Sequence, residues 1–405
     1  MGGVSMEWKE VNIGSLCYKV CSGGTPKSTN QSYFGGDIPW LNTKEINFSR
    51  IYSTEGTITQ AGLDNSSAKW IDENAVVVAM YGATAGKVAI AKIPLTTNQA
   101  CCNLMIDASL ADYNYVYYYL CSQYSNLASL ANGGAQQNLN AQIIKEFKIN
   151  LPDLPTQRRI SSILSSLDAK IETNNKINAN LEAQAQALFK SWFVDFENIK
   201  DGNFIDSELG KIPEGWRVQR LGDICKCLLG GTPSRNKDEY WNGDVAWINS
   251  GEVNKFRIVE ASEYITQEGL NHSATKLLPK KTTVLAITGA TLGQVSLLEI
   301  DTCANQSVIG VLQNEKMPYE FIYPLIQYYI KQLILNQTGG AQQHINKDNV
   351  ESLYFVMPSE ASMREYQDIV APLYTKISYN CFENKSLSTL RDTLLPKLMS
   401  GEIEI

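Results

Sequence analysis

At 405 residues the chain is too long for one ordinary core and suggests two or three domains, each able to fold without disulfide or metal staples. Its 44% hydrophobic and 19% charged residues fit a soluble globular protein, and neither a membrane-spanning apolar run nor a signal-peptide core is visible, so the expected location is cytoplasmic. A net charge of −7, with no segment forming a basic arm, excludes a protein that holds nucleic acid through bulk charge alone.

The residues that metal sites and acid-base chemistry need are sparse. Nine cysteines, with spacings such as Cys17 and Cys21, Cys101 beside Cys102, and Cys225 and Cys227, do not make a CxxC pair with a second ligand pair. They read as reduced and mostly buried, and no metal is expected. The two histidines, His272 and His344, leave little material for His-based catalysis.

In chain order, "MEWKEVNIGSL" (Met6 to Leu16) opens a globule of short β-branched runs such as "AVVVAM" and "KVAIAKI", mixed with helical stretches and Gly/Asn/Ser turns. The mixture predicts an α/β (α+β) fold. The globule closes with the extended run "FKINLP" ending at Pro152, a long helix follows, and "SWFVDFENIKDGNF" leads into a turn-rich linker. "IPEGWRVQRLGDI" (Ile212 to Ile224) opens a second globule, which contains "TTVLAIT" and closes with "LYFVMP" at Pro358 before a second long helix.

The chain is in fact written twice. "GGTP" (Gly23 to Pro26) recurs as Gly230 to Pro233, "YFGGDIPWLN" (Tyr33 to Asn42) as "YWNGDVAWIN" (Tyr240 to Asn249), and "ITQAGLDNSSAK" as "ITQEGLNHSATK", all at one offset. After a slip of one residue, "GGAQQNLN" (Gly133 to Asn140) returns as "GGAQQHIN" (Gly339 to Asn346).

Both long helices carry a coiled-coil seam with alternating steps of four and three. The first runs through Ile160, Leu164, Leu167, Ile171, Asn174, Asn178, Leu181, Ala185, Leu188 and Trp192; the second runs through Tyr366, Val370, Leu373, Ile377, Asn380, Asn384, Leu387, Arg391 and Leu394. Each seam has two asparagines near its middle, and polar seam residues fix register and partner at a cost in stability. Antiparallel packing would set Asn174 against Asn384 and Asn178 against Asn380. Ile177 offers a competing register in the first helix.

"YGATAGK" (81 to 87) superficially resembles a phosphate-binding loop. The first glycine is one residue too close, Val88 replaces the hydroxyl residue, and the strand continues where a helix should begin. Its second copy, "TGATLGQ" (288 to 294), puts Gln294 in place of the lysine. A strand-turn-strand remains, shaped by Gly82, Gly86, Gly289 and Gly293. The sequence lacks Pro-Pro, GxSxG and HExxH motifs. Carboxylates that recur between copies, Asp37 with Asp244 and Glu45 with Glu252, read as turn caps or helix starts rather than catalytic acids. No catalysis is expected of the chain alone.

Polar residues cluster where turns are predicted. The amides Asn98, Gln99, Asn305, Gln306, Gln136, Gln137, Gln342 and Gln343 either pair with an adenine edge or satisfy loop backbone. Thr25 and Thr232, in the two GGTP loops, and Thr84 and Thr291, in the two hairpins, sit beside them. Positions that differ within the shared scaffold are the candidates for reading different bases: Lys27-Ser28 against Ser234-Arg235, Thr43-Lys44 against Ser250-Gly251, Tyr81 against Thr288, Lys87 against Gln294, and Asn138 against His344.

"GGTPSRNKDEYWNGDVAWINSGEV", "IPEGWRVQRLGDI", "SWFVDF" and "LLPKLMSGEI" together resemble the DNA-specificity subunit of a type I restriction-modification system, over essentially the whole chain. The resemblance implies target-recognition domains at 1–152 and 199–358, the latter with a linker at 199–211. It also implies conserved helical regions at 153–198 and 359–405, which form an antiparallel coiled coil. The result would be a pseudo-two-fold body that reads a bipartite site on double-stranded DNA.

The resemblance further implies a non-catalytic subunit that binds no cofactor itself. It would hold two methyltransferase subunits that bind S-adenosylmethionine and, in the full complex, two restriction subunits that use ATP and Mg. Trp192, Phe193 and Phe196, with Leu395 and Leu398, are the candidate methyltransferase-docking surface, the alternative being a hydrophobic base under the recognition domains. A helix of about 36 residues would span about 54 Å and act as a ruler for the spacer. The competing class is a duplicated protein adaptor without DNA specificity.

Overall fold

The extended runs that open and close each globule pair with one another: Lys9–Asn12 with Lys148–Leu151, and Arg217–Arg220 with Tyr354–Met357, both antiparallel. The computed structural model describes residues 8–132, 139–199, 202–335 and 344–405. It divides into two units, one built from residues up to Lys170 with Leu387–Ile405, the other from Ile171–Ser386. The division falls inside both long helices, the central one at Leu154–Phe193 and the terminal one at Glu360–Ser400, so each unit has a share of both. None of the helices among the described residues is long and apolar enough to cross a membrane.

The first unit centres on a five-stranded sheet whose middle strands are Cys101–Ile106, Val76–Ala79 and Val88–Ala91. These runs are apolar without alternation because both faces are covered. Val76, Val78, Val88, Ile90, Cys102 and Leu104 pack with Tyr115, Val116 and Leu120 of the helix Tyr113–Ser122, and with Leu164 and Leu398 of the long helices. Val77, Ala79, Ala89, Ala91 and Cys101 pack on the other side against Leu41, Ile46, Ile71 and Leu95.

The second unit repeats this plan. Leu285, Ile287, Leu297 and Ile309 face the helix Tyr319–Leu335, while Val284, Ala286, Leu298 and Val308 face Ile248, Val253 and Ile258. A smaller sheet carries the same irregularity in both copies: Ile58 is opposite both Phe34 and Ile38, and Ile265 opposite both Trp241 and Val245. Asp37 and Asp244 lie inside these bulged strands. Part of the stretch expected as linker is ordered differently, since Phe204–Ser207 and Gly210–Pro213 form a two-stranded hairpin.

The helix seams pack as antiparallel partners. Within the second unit, Asn174 Nδ2 donates to Asn384 Oδ1 at 2.8 Å, and Asn380 Nδ2 donates to Asn178 Oδ1 at 2.8 Å. Asn174, Asn178 and Asn380 are buried, whereas Ile177 is 38% exposed, so the competing register is not the one used. Asn174 Nδ2 also reaches Glu383 at 2.7 Å.

Candidate nucleic-acid interface

Each unit ends its central hairpin in the same turn. Gly86 N donates to Ala79 O at 2.8 Å and Ala79 N to Lys87 O at 2.9 Å; Gly293 N donates to Ala286 O at 2.9 Å and Ala286 N to Gln294 O at 2.9 Å. Gly86 and Gly293 both have φ of +83°, a left-handed conformation that side chains resist. The turn is therefore a shaped tip between two strands, and its seventh residue, Lys87 or Gln294, is left to vary.

Strand pairing gathers the other loops around that tip. In the first unit Gly24 N bonds Thr97 O, Asn98 N bonds Leu41 O, and Met80 N bonds Ala100 O. These bonds bring the loop after Gly24, the turn Thr43–Glu45, the strand end at Asn98-Gln99 and the hairpin from Tyr81 into one rim. The second unit builds the same rim with Gly231 N on Ala304 O, Asn305 N on Ile248 O, and Ile287 N on Ser307 O. Ile345 N on Ile287 O adds the segment carrying the exposed His344 beside Thr288.

Within the rims the predicted residues fall into three groups. Thr25 Oγ1 donates to Gln99 Oε1, and Thr232 Oγ1 to Gln306 Oε1 at 2.5 Å. These contacts restrict the rotamer of each glutamine side chain. Lys27, Ser28, Ser234 and Gln294 are exposed, Tyr81 is 40% exposed, and Thr43, Thr84, Ser250, Thr288 and Thr291 are half-buried.

The rim cations are held differently in the two units. Lys87 Nζ bonds Asn47 Oδ1 at 2.7 Å, and Lys44 pairs with Glu55 at 2.7 Å. Arg235 makes a bidentate pair with Glu263, and its guanidinium carbon lies 3.6 Å from the Trp241 ring centroid. Ser28 occupies the equivalent place in the first unit.

Asn98 offers no free amide edge to the rim. It is only 7% exposed, and its Oδ1 accepts from Ala100 N at 3.0 Å and from the Cys101 thiol. Asn305 is half-buried and its Oδ1 accepts from Ser307 N at 3.0 Å in the same way, so both asparagines shape the strand end. Glu45 and Glu252 complete capping boxes on Asn42 and Asn249. Gln136, Gln137, Asn138, Gln342 and Gln343 lie outside the described residues.

Part of the aromatic surplus forms a hydrophobic base. Phe193 is 5% exposed and packs on Phe321, Trp216 and Tyr366, with Trp192 and Phe196 half-buried around the same core. Leu398 is 1% exposed and Leu395 half-buried against the core of the first unit. Buried side chains offer a partner no surface, so Phe193 and Leu398 serve the cores and not a docking face. Cys101, Cys102, Cys225 and Cys227 are free thiols whose pKa burial pushes up to about 12, which leaves them unreactive.

Sequence reasoning missed Arg50 and Arg257. In the first unit Asp168 accepts from Arg391 at 2.8 Å, lies 3.5 Å from Arg50, and takes the Tyr118 hydroxyl at 2.5 Å; Arg50 also donates to Tyr118 at 3.0 Å. In the second, Arg257 bonds Glu182 at 2.6 Å and Tyr323 at 3.0 Å, and lies 4.0 Å from Glu299. Glu299 in turn takes Lys281 at 2.5 Å and Ser378 at 2.7 Å. The available signal was the repeat itself, since "SRI" at 49–51 aligns with "FRI" at 256–258 at the offset that carries GGTP.

Comparison with known proteins agrees with this architecture. Residues 6–183 and 213–383 match the model of the type I restriction modification DNA specificity domain. The chain is 30% identical to the MjaIX specificity subunit of Methanocaldococcus jannaschii, over 100% of this chain and 95% of that one. It is 27% identical to the HindI specificity subunit of Haemophilus influenzae, over 70% and 74% respectively. The crystal structure of a type I restriction-modification S subunit from M. genitalium covers 98% of the chain with a TM-score of 0.60 at 18% identity, a likeness of fold.

Proposed function

The chain belongs to the type I restriction-modification DNA specificity family, and on that premise we propose that its two rims each read one half of a bipartite DNA site, with the long helices setting the unread spacer. The observation that carries this reading is the rim built twice on one scaffold, with hairpin tips held by the same backbone bonds and ending in different side chains, Lys87 and Gln294. Lysine suits a guanine edge or a phosphate, and glutamine an adenine edge. Family membership removes the support for an adaptor without DNA specificity.

The chain does no chemistry itself in this reading. Two methyltransferase subunits bring S-adenosylmethionine, and two restriction subunits bring ATP and Mg. The net charge of −7 leaves much of the phosphate contact to those partners. Assembly in the cytoplasm follows from the same premise.

The test is to sequence methylated adenines in cells that express the chain with its methyltransferase partner. Exchanging residues 1–152 for another recognition domain is expected to change one half-site and leave the other intact. Inserting four residues beside Asn178, about 6 Å of helix, is expected to lengthen the spacer with both half-sites unchanged. A spacer that ignores the insertion rejects the ruler, and two half-sites altered by one exchange reject the division of labour.

A further inference from the structure

We propose that Arg50 and Arg257 are positioning residues that lock each reading rim to the long helices and so admit a single spacer length between the half-sites. The proposal rests on the bipartite reading above. Both arginines occupy equivalent points of the repeat, on short strands that run parallel to the second arm of the rim hairpin, with Arg50 opposite Ile90 and Arg257 opposite Leu297. Just upstream, the same segment forms the capping turn of the rim and, in the first unit, supplies Asn47, which holds Lys87. A movement of this strand therefore carries the rim with it.

Each side chain leads to both long helices. Arg50 meets Asp168 of the central helix, which also holds Arg391 of the terminal helix. Arg257 meets Glu182 of the central helix and neighbours Glu299, which accepts from Ser378 of the terminal helix. The Arg257 side chain is 1% exposed. Buried ion pairs add little stability over apolar packing of the same volume, so what these arginines contribute is direction. A planar guanidinium satisfies carboxylate and phenol partners in few orientations.

The acids are not repeat-equivalent. Tyr374 stands where the second seam would match Asp168, and Ser388 where it would match Glu182. The same arginine is thus anchored by two different solutions, which points to the anchoring rather than to any one pair as the common feature.

The geometry of DNA makes such anchoring consequential. Changing the spacer by one base pair moves a half-site by about 3.4 Å along the axis and turns it by roughly 35°. A rim held through a buried guanidinium cannot follow that movement, whereas a loosened one can.

The test uses the full chain assembled with its methyltransferase partner and duplexes carrying both half-sites at the native spacer and at one base pair more or less. Initial methylation rates are compared. Arg257→Lys, Glu182→Gln and Arg50→Lys are expected to raise the rate at the altered spacers relative to the native one at least about tenfold, with the half-site bases unchanged. Ile258→Ala, a neighbouring core change that leaves the arginine contacts in place, is expected to keep the wild-type ratio. An unchanged ratio in the assembled arginine and glutamate variants overturns the proposal, as does equal relaxation in Ile258→Ala. A wild-type complex that methylates no bipartite site removes the recognition reading itself, an outcome distinct from either.

Discussion

The two recognition units share a hairpin, a rim and a buried arginine, yet the helix acid that meets that arginine is held with unequal redundancy. Asp168 in the first unit has Arg391 and the Tyr118 hydroxyl as well as Arg50, and the Arg391 side chain is 28% exposed. Burial works against the Arg391 charge, but Asp168 and Asp392 hold its pKa above the ordinary value. In the second unit Glu182 has Arg257 as its cation and otherwise accepts from the neutral Gln186 amide at 3.2 Å, and both side chains are within 9% of complete burial. A duplicated scaffold can keep one geometric task while the electrostatics that perform it drift apart.

Mutation at the two arginines gives the largest expected contrast. Arg257→Met leaves Glu182 as a buried unpaired charge and is expected to cost about 3–5 kcal/mol. Arg50→Met leaves Asp168 with Arg391 and is expected to cost about 1–3 kcal/mol. Urea unfolding followed separately for the two units would measure the difference; equal losses would mean that the redundancy around Asp168 has no energetic weight.

The hairpin turns share the backbone strain but not the surroundings of an added Cβ, which would meet the Ala128 backbone N at 3.0 Å at Gly86 and the flexible end of Ile334 at Gly293. Gly86→Ala and Gly293→Ala each place a Cβ at φ of +83° and are each expected to cost about 1–2 kcal/mol in thermal unfolding from that strain. A loss in one copy alone would show that the surroundings, not the strain, set the cost.

Smaller changes probe what is specific to seam and tip. Replacing Asn178 and Asn380 together by leucine is expected to stabilise the chain by about 1 kcal/mol while weakening the choice of register, which cysteine cross-linking across the seam would detect. Lys87→Gln and Gln294→Lys are expected to change stability by less than about 0.5 kcal/mol. Each should nevertheless alter the bases methylated in its own half-site, so an unaltered methylation motif would place both tips outside base contact.

Much of the fold was legible because its signals are local or periodic. The repeat, the four-three steps of the seams and their asparagines, and the turn glycines at 82, 86, 289 and 293 each follow from spacing within one stretch of chain. The roles of Asn98 and Phe193 were not legible in this way. An amide in a predicted turn reads identically whether it faces solvent or caps a strand end, and an aromatic surplus does not say what covers it. Only packing decided that Asn98 closes on Ala100 and that Phe193 is part of a core.

The amino-acid sequence by itself determined that the chain is two copies of one unit joined to two register-marked helices, because duplication and helical period survive as patterns along the chain. Tertiary structure alone decided which loops share a rim and which acid receives each arginine. Those groups meet through parallel strand pairs and contacts such as Glu182 with Arg257, 75 residues apart in sequence. Such long-range meetings are set by how the sheets and helices pack, and no local spacing encodes them.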